Sequence, residues 1–481
     1  MENRIGQPVS KFACRIRTIP AALGKIAILL ASSSSFSGVA LAEDSSTGPW
    51  TLQQALGDPE GLTVSGSIRV RYEAIGNQFR PGLNRNDDIV LLRTDLFAEY
   101  DTGPVRIGAE LQDSRAWSTD RGSSVGTGEV NALELVQAYA GFDLDDALGE
   151  GTDTKLDLGR FTMNLGSRRL VARNNYRNTT NAFTGINARF RGHGGTAISL
   201  FYTLPQVRLP NDKPGILDNK VKWDRESFDL VFWGAYLSAR PIGDAGTVEA
   251  YFLALDEDDS PDRSTRDRHL FTLGARIDRS PVTGRLDYEL ESAYQFGTIR
   301  AGISPAAEKL DVSAYFVHAE AGYRFPGPWA ARISFHYDLA SGDGPGKSWG
   351  RFDTLFGARR GEFGPTSLFG ALGRANISSP GVRVEVRPGK RWDVFAMYRA
   401  AWLDSAIDSF SSTGVRDPAG EAGKFAGHQL EGRIRYWIVP GQLQLEAGAV
   451  LLTDGGFRKR APNANGFGDP HGGYVSLSAN F

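Results

Sequence analysis

Thiols are all but missing from this chain. Its one cysteine, Cys14, falls in a basic leading segment that is expected to be cleaved. The remainder then has no disulfide, no zinc–thiolate centre and no cysteine nucleophile. Long apolar runs are missing too. The chain is 41% hydrophobic with negative mean hydropathy, and no stretch reaches the ~18 apolar residues that a spanning helix needs. That leaves strands free to cross a membrane, since each needs only ~9–11 residues with an apolar side chain at every second position. Histidine is scarce: His193, His269, His318, His336, His428 and His471 complete the set, and none stands in a nucleophile motif. A hydrolase built on Ser and His is therefore not expected. No Gly-rich phosphate loop, haem motif or metal-binding His pair is read, so no catalytic residue, metal or cofactor is assigned. A net charge of −2 lacks the basic face that nucleic-acid partners require.

What the chain does have is alternation. Leu62, Val64, Gly66, Ile68, Val70 and Tyr72 fall on one side of a strand, and Thr63, Ser65, Ser67, Arg69, Arg71 and Glu73 on the other. Successive strand side chains point to opposite faces, so one face is apolar and the other charged. Arg285–Phe296 repeats the pattern, with Leu286, Tyr288, Leu290, Tyr294 and Phe296 against Arg285, Asp287, Glu289, Glu291 and Gln295. The last strand puts Val475, Leu477, Ala479 and Phe481 on one face. The pattern predicts an all-β fold, a transmembrane antiparallel up-and-down barrel of about eighteen strands.

Connections alternate in length. Asp101–Pro104, Arg191–Gly195, Pro241–Gly246, Ser280–Gly284, Phe325–Pro328, Arg387–Arg391 and Pro440–Gln442 read as tight turns rich in Gly, Pro and Asp, with Asp143–Thr154 a longer one. Between them lie eight long polar stretches: Gly76–Asn86, Asp113–Glu129, Thr162–Ala182, Thr203–Glu226, Asp256–Arg268, Asp338–Asn376, Asp404–Gly427 and Thr453–Gly473. Short periplasmic turns and long extracellular loops are the expected assignment, in the outer membrane. Tyr100, Trp233, Trp329, Tyr337, Trp392, Trp402 and Tyr474 are expected at the headgroup girdles. Residues 1–42 read as a signal peptide, with Arg4, Lys11, Arg15, Arg17 and Lys25 ahead of a short apolar stretch and Ala40-Leu41-Ala42 as the cleavage site. Residues 43–61 form a periplasmic lead, and 62–481 the barrel.

Strand parity assigns Arg69, Arg71, Arg93, Arg189, Arg383, Arg399, Arg433 and Arg435 to the lumen, with Asp95, Glu99, Glu110, Glu249, Glu289, Glu291 and Glu446 among the acids. Nearly all the cations are Arg, whose planar fork grips carboxylates. Acids and arginines are about equally numerous, so parity alone leaves a selective anion conduit and a general porin both open. The densest basic segment holds Arg160, Arg168, Arg169, Arg173 and Arg177; it is read as a strand followed either by a loop folded into the lumen or by a solvated outer loop. Asp256-Glu257-Asp258-Asp259 with Asp262 is an acidic outer tip, unstructured or binding calcium.

At that basic segment stand Leu158-Gly159-Arg160, Leu165-Gly166-Ser167-Arg168-Arg169-Leu170-Val171, Arg177-Asn178 and Phe183-Thr184-Gly185. In these motifs the chain resembles the alginate-export family of outer-membrane barrels. A second block runs Tyr337–Asp343, Phe352–Phe356 and Gly370–Asn376; Gly427–Glu431 with Leu443–Leu452 forms a third. The resemblance implies an eighteen-stranded barrel whose Arg-rich constriction attracts a polyuronate. It marks Arg160, Arg169 and Asp353 by motif; Arg173 and the strand arginines rest on position alone. The expected function is an outer-membrane channel passing an anionic polysaccharide or oligosaccharide, alginate-like, through an Arg-lined lumen, with no covalent chemistry. The alternative is a diffusion porin for other small hydrophilic or anionic nutrients. Expected partners are that solute, outer-membrane lipid and lipopolysaccharide, and periplasmic secretion proteins.

Overall fold

The computed structural model describes residues 50–240, 246–260 and 263–481. The expected signal peptide, Cys14, Pro241–Ala245 of one turn and Asp262 lie outside the described residues. A four-residue helix, α1 (Leu52–Ala55), precedes the sheet. The Gln53 side chain ties it to the first strand, donating to the Leu62 carbonyl and accepting from the Val64 amide, each at 2.8 Å.

The strands are β1 (Leu62–Gly76), β2 (Asp87–Asp101), β3 (Val105–Trp117), β4 (Asn131–Asp143), β5 (Asp153–Phe161), β6 (Phe183–Arg191), β7 (Ala197–Pro205), β8 (Leu230–Ala239), β9 (Thr247–Glu257), β10 (His269–Arg279), β11 (Leu286–Arg300), β12 (Lys309–Arg324), β13 (Arg332–Ala340), β14 (Ser348–Trp349), β15 (Ile377–Val386), β16 (Trp392–Trp402), β17 (Phe425–Val439), β18 (Leu443–Asp454) and β19 (His471–Asn480). Every strand but β14 pairs antiparallel with its neighbours in sequence. β19 returns to β1 through Ile68↔Ala479 and Val70↔Leu477, so eighteen strands close a barrel with no free edge. Gly66 and Phe481 exchange two backbone hydrogen bonds at 2.8 and 3.0 Å, extending the seam to the last residue. The two-residue β14 lies parallel on β12 at Asp311 and Val312, beyond the point where β13 ends at Ala340 opposite Phe316.

Polarity is inverted relative to a water-soluble core. Ile107, Leu273 and Phe335 stand outside at 62%, 58% and 65% exposure, whereas Asp287, Gln295 and Arg399 are buried. This is the alternation of Leu62–Gly76 and Arg285–Phe296 made physical: apolar side chains outward, charged ones inward.

Two expectations need correction here. With both barrel ends on one side, eighteen strands require nine loops at the other, and the ninth is residues 301–308, closed by Ala301 N donating to Glu308 O at 2.8 Å. It is too short to interrupt the alternation visibly. Tyr474 is not in the girdle, although Tyr100, Trp329, Tyr337, Trp392 and Trp402 are exposed outside. Its neighbours Val475 and Leu477 face outward, so Tyr474 faces the lumen, and its hydroxyl donates to Glu446 Oε1 at 2.8 Å. Its ring lies flat over Gly448, where a Cβ would come within 2.4 Å of it.

The extracellular half of the barrel is filled by loops. One apolar cluster joins Phe161, Leu170, Val171, Phe183, Phe232, Phe352, Phe363, Phe410 and Phe457; a second joins Ile75, Phe79, Ile89, Leu91, Leu368 and Phe369. Loop backbones thus acquire a core of their own inside a polar wall.

Candidate functional site

The wall is low at β5 and β6, each nine residues long. Their last pair, Phe161↔Phe183, turns into the apolar cluster. Gly159, at φ +121°, permits the bend, because a Cβ there would meet the Ala138 carbonyl oxygen at 2.5 Å. The chain from Thr162 to Ala182 then runs into the lumen, which decides between the two readings of this segment in favour of the inward loop.

Wall arginines hold that loop by its carbonyls. Arg69 donates to Asn175 O at 2.7 Å and Arg177 O at 3.0 Å, Arg71 to Tyr176 O at 2.8 Å, and Arg93 to Arg177 O at 3.3 Å. The Asn178 amide returns hydrogen bonds to Leu92 O and Glu129 O at 3.0 and 2.8 Å. Arg173 forms a bidentate pair with Glu110. Arg169 crosses to the far wall, where it pairs with Glu289, with Glu291 at 2.6 Å and with Glu362 at 3.1 Å.

A second loop, residues 341–376, meets the first. Phe356 N donates to Leu170 O at 2.9 Å and Ala358 N to Arg168 O at 2.9 Å, around a Val171–Phe356 bridge. The Phe356 ring packs on Phe183 and Phe232 at 5.3 and 5.0 Å between centroids. Asp353 belongs to this second loop: it pairs with Arg268 at 2.7 Å, and its backbone brackets the Gln295 amide.

The other expected residues divide by height and face. Arg399, buried in the wall, pairs with Asp338 at 2.7 Å and donates to Glu362 O at 3.0 Å. Arg383 pairs with Glu385 at 3.0 Å and lies 3.9 Å over the Phe395 ring; Arg433 pairs with Asp393, and Arg435 with Glu446 at 2.6 Å. Arg189, half exposed near the periplasmic end of β6, pairs with Asp157 at 2.6 Å. Arg160 departs from its expected place. On β5 the lumen face carries Asp157 and Phe161, so Arg160 shares the outward parity of Leu156 and Leu158. Its guanidinium is held by Glu134 at 2.7 Å and Glu226 at 3.0 Å.

Two cavities flank the loop contact. The outer one, about 590 Å³, is lined by Arg263, Arg266, Arg268, Arg351, Arg359 and Arg374, with Glu257 and Asp353 as its acids, and by Trp349, Ser411 and Ser412. Arg266 lies 4.0 Å over the Trp349 ring. The inner one, about 570 Å³, is lined by Ser65, Ser67, Asp95, Glu110, Gln137 and Arg173 beside the periplasmic residues Gly441 and Gln442. The outer cavity is thus basic and the inner one slightly acidic. Its loop arginines escaped the sequence reading because a loop has no parity. Arg168, on the inward loop, is exposed, and its guanidinium has no partner among the described residues.

The acidic tip is not unstructured. Glu257 pairs with Arg263 and Arg268 at 2.8 and 2.6 Å, and Asp259 with Arg300 at 2.6 Å, so these carboxylates are committed to arginines rather than calcium. In the β7–β8 loop, Asp224 accepts from Leu209 N at 2.9 Å and Asn131 Nδ2 at 3.0 Å. Burial, reinforced by the nearby Glu134 charge, pushes its carboxyl up to about 7.

Comparison with known proteins agrees with this architecture. The chain is similar to Pseudomonas aeruginosa OccK3 (OpdO), at 15% identity and TM-score 0.53 over 88% of this chain and 96% of that one. Acinetobacter baumannii OccAB1 gives 12% identity and TM-score 0.55, covering 88% and 97%. Pseudomonas aeruginosa OccK2 (OpdF), solved in complex with glucuronate, gives 13% identity and TM-score 0.53, covering 87% and 98%. No curated protein matches the sequence. The family described as Alginate export matches residues 61–466, from the first strand to the last outer loop. This chain belongs to the alginate export family and is an outer-membrane β-barrel channel.

Proposed function

We propose that the channel conducts carboxylated saccharides, with the arginines of its outer cavity and inward loops as the binding surface. The observation that carries this is the charge of the outer cavity: of its six guanidiniums, four pair with Glu257, Asp353, Asp408 and Glu362, and Arg266 and Arg359 have no carboxylate partner among the described residues. Guanidinium forks bind sugar carboxylates bidentately, and a low-dielectric wall focuses their field on the passing solute. Trp349 offers a flat apolar face, and Ser411 and Ser412 offer hydroxyls, which suits a ring bearing both CH and OH groups. Arg69, Arg71, Arg93 and Arg169 act one step back by holding the loop that narrows the lumen. Arg383, Arg433 and Arg435, each paired with an acid, continue a ladder of ion pairs on the β15–β17 wall, and Arg189 ends the path near the periplasm.

A second reading, uptake of single uronates or other small carboxylates, is favoured by the loops that pack a Phe-rich cluster into the lumen. The glucuronate bound to OccK2 is a precedent for that solute class in a barrel of this fold. Direction comes from a solute gradient or from periplasmic proteins. Block of single-channel current by added polyuronate, compared with block by glucuronate monomer, tests the proposal. Polymer block at lower concentration supports the saccharide-chain reading; monomer block alone supports the second; no block by either contradicts both.

A further inference from the structure

The β12–β13 hairpin carries a cluster outside the binding surface proposed for the saccharide. His318 and Glu320 stand two apart on β12 and share the lumen face, while His336 on β13 lies directly opposite Glu320. Nε2 of His318 is 3.9 Å from Glu320 Oε2, and Nδ1 of His336 is 3.4 Å from the same oxygen. One donor atom from each of the three residues lies within 4.8 Å of the other two. Both imidazoles are buried, at 0% and 6% exposure, and neither of those two nitrogens makes a hydrogen bond.

The far sides of the rings are fixed. His318 Nδ1 meets Asp338 Oδ1 at 2.7 Å, and His336 Nε2 meets Ser334 Oγ at 2.8 Å. A carboxylate on one imidazole nitrogen holds the proton there and turns the other nitrogen's lone pair toward a metal. Surrounding charge accommodates a cation. Glu289 and Glu291 on β11 stand opposite Glu320 and His318, and with Glu320 and Asp338 they face Arg169, Arg332 and Arg399.

We propose that His318, Glu320 and His336 bind one divalent transition-metal ion, with Asp338 and Ser334 orienting the imidazoles. Two imidazole nitrogens and a carboxylate suit zinc, whereas calcium and magnesium select all-oxygen sets. Three protein ligands leave a fourth position for water or a solute carboxylate. The site is independent of the saccharide reading.

The test uses the full chain, folded in detergent, equilibrated with zinc chloride and dialysed into metal-free buffer before elemental analysis. The wild type is expected to retain one zinc per chain, and H336Q and E320Q to fall to background while keeping the heat-modifiable gel mobility of a folded barrel. H269Q, which alters the other His–Asp group near Asp258 and Asp267, is expected to retain the zinc. Cobalt loaded into the wild type gives a reading that needs no variant to fold: ligand-field bands of a low-coordinate nitrogen–oxygen site are expected. Wild-type zinc at background, zinc unchanged in folded H336Q, zinc lost only in H269Q, or cobalt spectra of the hydrated ion would each overturn the proposal.

Discussion

Arg169 and Glu291, 122 residues apart in the chain, meet at 2.6 Å where the inward loop reaches the opposite wall. The same guanidinium also touches Glu289 and Glu362, and Arg374 and Arg276 take up the remaining carboxylate charge. The contact is a buried network, and such networks act more through what their loss leaves unpaired than through net stabilisation.

Replacing Arg169 by Ala is therefore expected to undock the inward loop. Leaving buried carboxylates without their partner costs ~3–5 kcal/mol. Single-channel recordings of R169A should show larger, noisier conductance, and hydrogen exchange should show lost protection across residues 162–182. Wild-type conductance and protection in R169A would show that the loop is held by its carbonyl contacts alone.

Arg160 and Arg168 should separate. Arg160 has outward strand parity and its guanidinium is locked between Glu134 and Glu226, so R160A is expected to leave the anion-to-cation permeability ratio unchanged. Arg168 is exposed on the inward loop without a partner among the described residues, so R168E should shift the ratio toward cations several-fold. The comparison is read from zero-current potentials of both variants.

The β7–β8 loop should respond to pH through Asp224. Its folded pKa, about 7, lies above the ordinary value of about 4. The folded loop therefore binds the proton more tightly than the unfolded one, and its stability falls as pH rises from about 4 through 7. Exchange protection of residues 206–227, corrected for intrinsic rates, should drop between about pH 4 and 7 and level off above that. D224N should remove that dependence; a D224N loop with the wild-type pH profile would assign it to another group.

The outward face can be tested separately. Leu273, 58% exposed midway along β10, is expected on lipid, so L273R should cost ~2–4 kcal/mol on folding into bilayers. Titration with denaturant in phospholipid vesicles measures it, and an unchanged midpoint would place Leu273 away from the hydrocarbon.

The barrel was legible because alternation is a property of the strand itself. Leu62–Gly76 and Arg285–Phe296 already separate the wall's two faces, and Tyr474 too was assignable from Val475 and Leu477, though its place near a strand end suggested a girdle. The motif marks Arg160 for the pore, although its strand parity, with Asp157 and Phe161 on the other face, runs against that placement. The constriction was only half legible. Arg169 and Asp353 could be marked by motif, but Arg263, Arg266, Arg351 and Arg359 come together through loop packing that no periodicity records. The His318–Glu320–His336 cluster was hidden for a different reason: His318 and Glu320 share a face in the sequence, but bringing His336 to them requires the β12–β13 register.

The central claim is that anions are drawn into this lumen by arginines not fully neutralised by its acids. The zero-current potential of the wild-type channel across a potassium chloride gradient measures this directly. A potential of the sign for chloride over potassium, collapsing toward zero when polyuronate is added to the outer side, is the expected result. A cation-selective or unselective channel, indifferent to polyuronate, would contradict the claim.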